Sequence, residues 1–242
     1  EPFFSKRRKK NSGALRKIVI FALLVGIMLW VIDTNFSSIQ SAALEAIGYA
    51  PEPTPFASVF ATQGMEFFAA GDMRSAAAMY ERAVAQQPTN VDYLYEYGRT
   101  LLELGAEDNS LYETAIALGD QAINASPRDP RGYALKSRAM DMNGDSANAI
   151  PIGQQGLNVD PNFAPLHYAL ADAYRSIDRY DVAIDQAERA IELDPYDPTA
   201  RRVYAYALIW VGDTQGAMDQ LERAVALAPN NTAPYFELAI LY

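Results

Sequence analysis

The sequence predicts an all-α protein: a superhelical solenoid of about five and a half helical hairpins, carried on one N-terminal transmembrane helix. Three observations predict it. A phrase ending in proline recurs along residues 57–242, and its last two copies stand 34 residues apart. A run without any charged or polar side chain fills residues 18–32. Between the two, Pro51, Pro53 and Pro55 break any helix that would join them.

The first element is a basic head. Residues 1–17 carry a net +6 within a chain of net −10, so the remainder carries −16. An acidic body repels nucleic-acid phosphates at long range, and no nucleic-acid partner is expected. Ile18 to Ile32 follows, a span of 15 apolar residues. It is slightly short for a hydrocarbon core of ~30 Å, and Ala14 and Leu15 lengthen it if Arg16 and Lys17 snorkel to the headgroups. A cleavable signal peptide shares the basic start, and Ser41-Ala42-Ala43 offers a weak cleavage site; a retained anchor is the preferred reading. Lys and Arg stay on the cytoplasmic side of short flanks, and the next basic residue after the span is Arg74. The head is therefore expected in the cytoplasm, with the rest periplasmic or exterior in a bacterium. Phe36, Ile39, Ala43 and Ile47 then recur at helical spacing before Gly48, and the prolines up to Pro55 form a stiff linker, closing residues 33–56. The chain begins at Glu1 and stops inside an apolar run at Tyr242, so it is expected to be part of a longer product.

The body repeats a phrase. Glu81-Arg-Ala-Val-Ala-Gln-Gln-Pro88, Glu188-Arg-Ala-Ile-Glu-Leu-Asp-Pro195 and Glu222-Arg-Ala-Val-Ala-Leu-Ala-Pro229 share one pattern of small residues before proline. Residues 57–90 carry Phe60, Gly64, Phe67, Gly71, Ala76, Tyr80, Ala83 and Pro88 in register. This pattern resembles the tetratricopeptide-repeat (TPR) family, whose unit of about 34 residues is a pair of helices. The resemblance implies a right-handed superhelix with repeats at 57–90, 91–129, 130–163, 164–197 and 198–231, and a partial one at 232–242. Repeat 91–129 keeps phase if about five extra residues sit near Ala106–Ser110. Gly153 and Gly156 are expected to loosen the second helix of the third repeat. In the fourth repeat Ala183 marks a close helix contact, whereas Ala187 stands at a normally aromatic position and is expected to tolerate a larger side chain.

Family geometry places the concave wall on the first helix of each repeat. Carried over, it takes Met65 and Phe68, then Tyr95, Arg99 and Leu102, then Arg131 and Arg138. Next come Tyr168, Asp172 and Arg175, then Arg202, Tyr206, Ile209 and Trp210, and Phe236 in the partial repeat. Five of the twelve arginines beyond the head fall on this wall, with aromatic rings between them. Guanidinium forks grip carboxylates and rings give rigid contact area. A groove for an extended acidic segment of another protein is expected, its arginines solvated and of little weight in stability; the alternative is arginines pairing with neighbours such as Asp141 and Asp172.

The chain has no cysteine and a single histidine, His167, which stands at a core position. No catalytic residue, cofactor or metal is expected, and the protein is not expected to be an enzyme. The resemblance implies a membrane-anchored scaffold or accessory subunit of a membrane complex. The alternative is a recruiting or assembly factor that transiently binds client polypeptides near a secretion or maturation machine.

Overall fold

The computed structural model describes Pro55–Tyr242, with six isolated helical positions upstream: Lys17, Ile20, Phe21, Leu23, Val25 and Gly26. The basic head, the apolar span and the amphipathic segment with its linker up to residue 54 otherwise lie outside the described residues. No helix among the described residues is long and apolar enough to cross a membrane.

From Pro55 on, the described residues form eleven helices and no strand. The first hairpin is α1 (Ala57–Ala70) with α2 (Met73–Gln86), the second α3 (Val91–Leu104) with α4 (Ser110–Ala125). The third is α5 (Pro130–Met142) with α6 (Ser146–Val159), the fourth α7 (Ala164–Ser176) with α8 (Tyr180–Leu193). α9 (Pro198–Trp210) pairs with α10 (Thr214–Leu227), and α11 (Ala233–Leu241) packs on α10. The odd-numbered helices also touch one another in series, α3 on α5, α5 on α7 and α7 on α9, and so build one continuous wall.

Local chemistry sets where these helices start. Asn90, Asp129 and Asp197 stand immediately before α3, α5 and α9, and each side chain accepts a backbone N–H from the first helical turn. Pro130 and Pro198 occupy the first helical position, where no N–H is needed. α1 ends on Gly71, whose φ of 84° lies in the left-handed region that closes a helix. The turn Gly105–Asn109 is the longest of the hairpin turns and holds the extra residues of the second repeat.

Packing follows from small residues placed where helices cross. Ala76, Ala115, Ala149, Ala183 and Ala217 hold the same place in the five hairpins, and all are 0% exposed. Deleting a side chain's bulk there lets two backbones approach, and larger neighbours fill the space around them. Gly64 works in this way, since a Cβ on it would lie 3.0 Å from the Tyr80 ring. Leu94, Leu101, Leu102, Tyr112 and Leu118 form the largest buried cluster, across α3 and α4.

Two expectations need correction. Gly153 and Gly156 are seats for α7: a Cβ on Gly153 would lie 2.7 Å from Leu170 Cδ2, and one on Gly156 would run into Leu166. Their cost in helix propensity is offset by close contact. Ala187 is as fully enclosed as Ala183, packed with Tyr168, Ala171 and Val203, so no room is kept for a larger residue. His167 is buried, its ring nitrogens 2.8 Å from Gln186 Oε1 and 2.9 Å from the Pro161 carbonyl. It ties α7 to α8 and to the preceding loop.

Candidate partner-binding wall

The wall begins with the odd helices. Because they stack in series, residues one or two turns apart on neighbouring helices come side by side. The result is a ladder in which guanidinium groups alternate with aromatic faces. Arg99 of α3 lies 5.4 Å from the Phe68 ring of α1 and 5.6 Å from its own helix's Tyr95. Arg138 of α5 lies 5.1 Å from the Tyr168 ring of α7, and Arg175 of α7 lies 5.6 Å from the Tyr206 ring of α9. Each such contact is worth ~0.5–2 kcal/mol.

Carboxylates complete the ladder. Arg99 pairs with Glu96 at 3.2 Å, Arg175 with Asp172 at 3.3 Å, and Arg138 lies 3.9 Å from Asp172. Arg202 reaches Glu237 of α11 at 2.8 Å and Glu103 of α3 at 3.6 Å. Tyr206 also donates its hydroxyl to Glu237. Burial, reinforced by that carboxylate, pushes the Tyr206 phenol up to about 12. Burial likewise raises the Asp172 carboxyl, against the pull of Arg138 and Arg175.

Of the fifteen residues that the sequence places on this wall, nine join the ladder: Phe68, Tyr95, Arg99, Arg138, Tyr168, Asp172, Arg175, Arg202 and Tyr206. Arg131 stands apart at the start of α5, bound to Asp129 at 2.6 Å and to Asp92. Trp210 also stands apart, stacked on Tyr180 of α8 with centroids 5.6 Å apart and planes 5° from parallel. Tyr95 and Tyr168 are buried, so they face neighbouring side chains and leave no ring free.

The arginines are not the solvated row that was expected. The side chains of Arg138 and Arg202 are 12% and 13% exposed, and each of the five arginines already has an acidic neighbour. Glu103 and Glu237, which make two of these pairs, escaped the sequence reading. Glu103 does stand at a concave position, but Glu237 enters from the helix that follows the last full repeat. Two donors remain unmatched: the Nε atoms of Arg138 and Arg175 are buried without an acceptor. At the near end the wall opens into a trough of about 620 Å³ between α1 and α3, lined by Met65, Phe68, Tyr93, Glu96 and Arg99.

Among the described residues no group of acidic or histidine side chains is arranged to hold a metal ion. Two family models, both described as Tetratricopeptide repeat, match the chain, one at residues 62–130 and the other at 164–207 and 198–241. The small glutamine-rich tetratricopeptide repeat-containing protein 2 of Mycosarcoma maydis is 27% identical over 105 residues, which is 41% of this chain and 30% of that protein. The cellulose synthase operon protein C of Escherichia coli is 29% identical over 153 residues, 62% of this chain and 12% of that protein. The chain thus spans under a third of the length of these curated relatives. A solved thermophilic TPR protein of Thermus thermophilus superposes with a TM-score of 0.63 at 24% identity, covering 76% of this chain and 98% of that one. The chain carries tetratricopeptide repeats, and its body from Pro55 onward is an all-α TPR solenoid.

Proposed function

We propose that the protein is a membrane-anchored interaction scaffold, an accessory subunit whose solenoid holds a polypeptide partner of a membrane complex. TPR proteins generally mediate protein–protein interactions. The observation that carries the reading here is the open trough between α1 and α3. Met65, 60% exposed, and Phe68 offer it an apolar floor, and Arg99 sets a fixed positive charge at one side. An extended segment seated there would bury an apolar side chain and bring a carboxylate within reach of Arg99, the arginine that lines the trough. The glutamates along the wall keep it close to neutral, so shape and apolar burial supply the affinity and the arginines the register.

Support for the anchor comes from residues 18–32 and from the seven basic residues before them. The same asymmetry favours a cytoplasmic head with the repeats outside it. Protease added to intact spheroplasts is expected to digest the repeats; protection until lysis would reverse the orientation. For the trough, Met65→Asp is the direct test, since the exposed side chain is dispensable for folding. Partners purified in gentle detergent should be lost at unchanged helical content. Retention at wild-type ratio would place the contact elsewhere on the solenoid.

A further inference from the structure

The loop after the fifth hairpin returns to the first hairpin. Asn230, in the loop after α10, donates its side-chain N–H to the Ala69 carbonyl at 3.0 Å. Gly71 permits this approach, because a Cβ at that position would lie 2.6 Å from the Asn230 carbonyl oxygen. Deeper in, the Arg202–Glu103 pair at 3.6 Å joins α9 to α3 across the same gap. Between these links lies a cavity of about 240 Å³. Phe68 and Met73 line it from the first hairpin, Leu227 and Asn231 from the last, and Arg99 and Arg138 from between them.

We propose that the loop at residues 228–231 is a latch: resting on the α1–α2 turn, it covers the arginine ladder beyond Arg99, and a partner reaches that part only when the loop lifts. The inference rests on reading the wall as a partner surface, and it adds how access to that surface is controlled. Three features carry it. The loop rests on the last turn of α1 and on Gly71 through one direct side-chain hydrogen bond, so it lifts without unpacking a helix, the Arg202–Glu103 pair staying in place. It covers Arg138, whose buried Nε has no hydrogen-bond acceptor and only the Asp172 carboxylate at 3.9 Å, with Glu103 the one carboxylate in the cavity lining. Phe68 and Arg99 line both the partly enclosed cavity and the more open trough, so a segment seated in the trough abuts the latch. The occupant that gains most from opening is a carboxylate-bearing segment, which would supply the missing acceptors.

The test uses the full chain in detergent. The sequence has no cysteine, so Thr199→Cys in the cavity lining gives a unique thiol. Thr199 is partly exposed at rest, so the rise in its rate of reaction with a polymer-linked maleimide over the resting rate reports opening. Asn230→Asp keeps the size of the side chain but sets an oxygen against the Ala69 carbonyl. With helical content unchanged, the reaction should speed up about tenfold, the equivalent of one lost hydrogen bond. Equal rates in the two backgrounds would show that the loop gates nothing. A second arm measures binding of a deca-glutamate peptide to the wild type, to Asn230→Asp, and to Ala69→Cys/Asn230→Cys closed by a short bismaleimide. The latch predicts tighter binding to the first variant and weaker binding to the cross-linked one. A faster thiol reaction with no peptide bound by any form would keep the latch and discard the acidic partner. Equal peptide binding by all three forms, with equal thiol rates, would keep the partner surface and discard the latch.

Discussion

Arg138 shows what a single side chain does in this wall. Its guanidinium lies over the Tyr168 ring and beside Asp172, and the two ionic side chains are 12% and 10% exposed. Burial raises the Asp172 carboxyl, against the charges of Arg138 and Arg175. Removing Arg138 takes one of two cations from a buried carboxylate that Arg175 still holds, and Arg138→Gln should cost about 1.5–3 kcal/mol in urea unfolding. Asp172→Asn placed on top should restore part of the loss. An unfolding midpoint unchanged by Arg138→Gln would mean that the pair is solvated. Ala187 makes the second residue-scale prediction. It is enclosed to the same degree as Ala183, so leucine at either site should cost about 1–3 kcal/mol by overpacking. Melting temperatures that fall for Ala183→Leu alone would restore the roomier reading of position 187. The periodicity of the sequence placed both alanines on helices but could not show how tightly Tyr168 and Val203 close over the second.

Helices and their ends were the most legible part of the chain. Prolines, capping aspartates and the alanines at helix crossings are each a local constraint, and local constraints survive in a sequence without its fold. Asp129 illustrates one of them. Its carboxylate accepts the Arg131 backbone N–H at 3.1 Å and the Arg131 Nε at 2.9 Å. These bonds, the side-chain one foremost, hold its pKa below the ordinary carboxylate range. A depressed folded-state value stabilises the fold above the unfolded value of ~3.9 and is lost as pH falls through the folded value. Asp129→Ala should therefore cost about 1 kcal/mol at neutral pH and much less near pH 2. Urea titrations at the two pH values check the sign, and an equal cost at both would remove the charge from the explanation. Gly153 and Gly156 were illegible for a physical reason. A glycine that weakens a helix and a glycine that seats a neighbour are the same letter, and only the position of Leu166 and Leu170 separates them.

At the scale of the whole solenoid, the sequence carried the count of hairpins and put the arginines on the first helices, yet neither the enclosure of the ladder nor the separate places of Arg131 and Trp210. Repeats specify contacts with the next repeat, while the Asn230–Ala69 and Arg202–Glu103 contacts join residues that no local pattern relates. Arg202 is enclosed and paired in this way, whereas Arg99, Arg131 and Arg175 pair with acidic residues two or three positions away. The closing contact has a mechanical consequence. Hairpins stacked in series extend like a spring, each yielding in turn, whereas a clasp between the ends bears the first load. Tension applied in an optical trap between residues 55 and 242 should give a small early yield with all helices intact, then stepwise unravelling. Asn230→Asp should lack the first event and keep the rest, and identical traces would show that the clasp carries no force. A solenoid held at one side of the clasp and pulled at the other would then stay short under weak loads and lengthen under strong ones, a fuse set by Asn230 and backed by the Arg202–Glu103 pair.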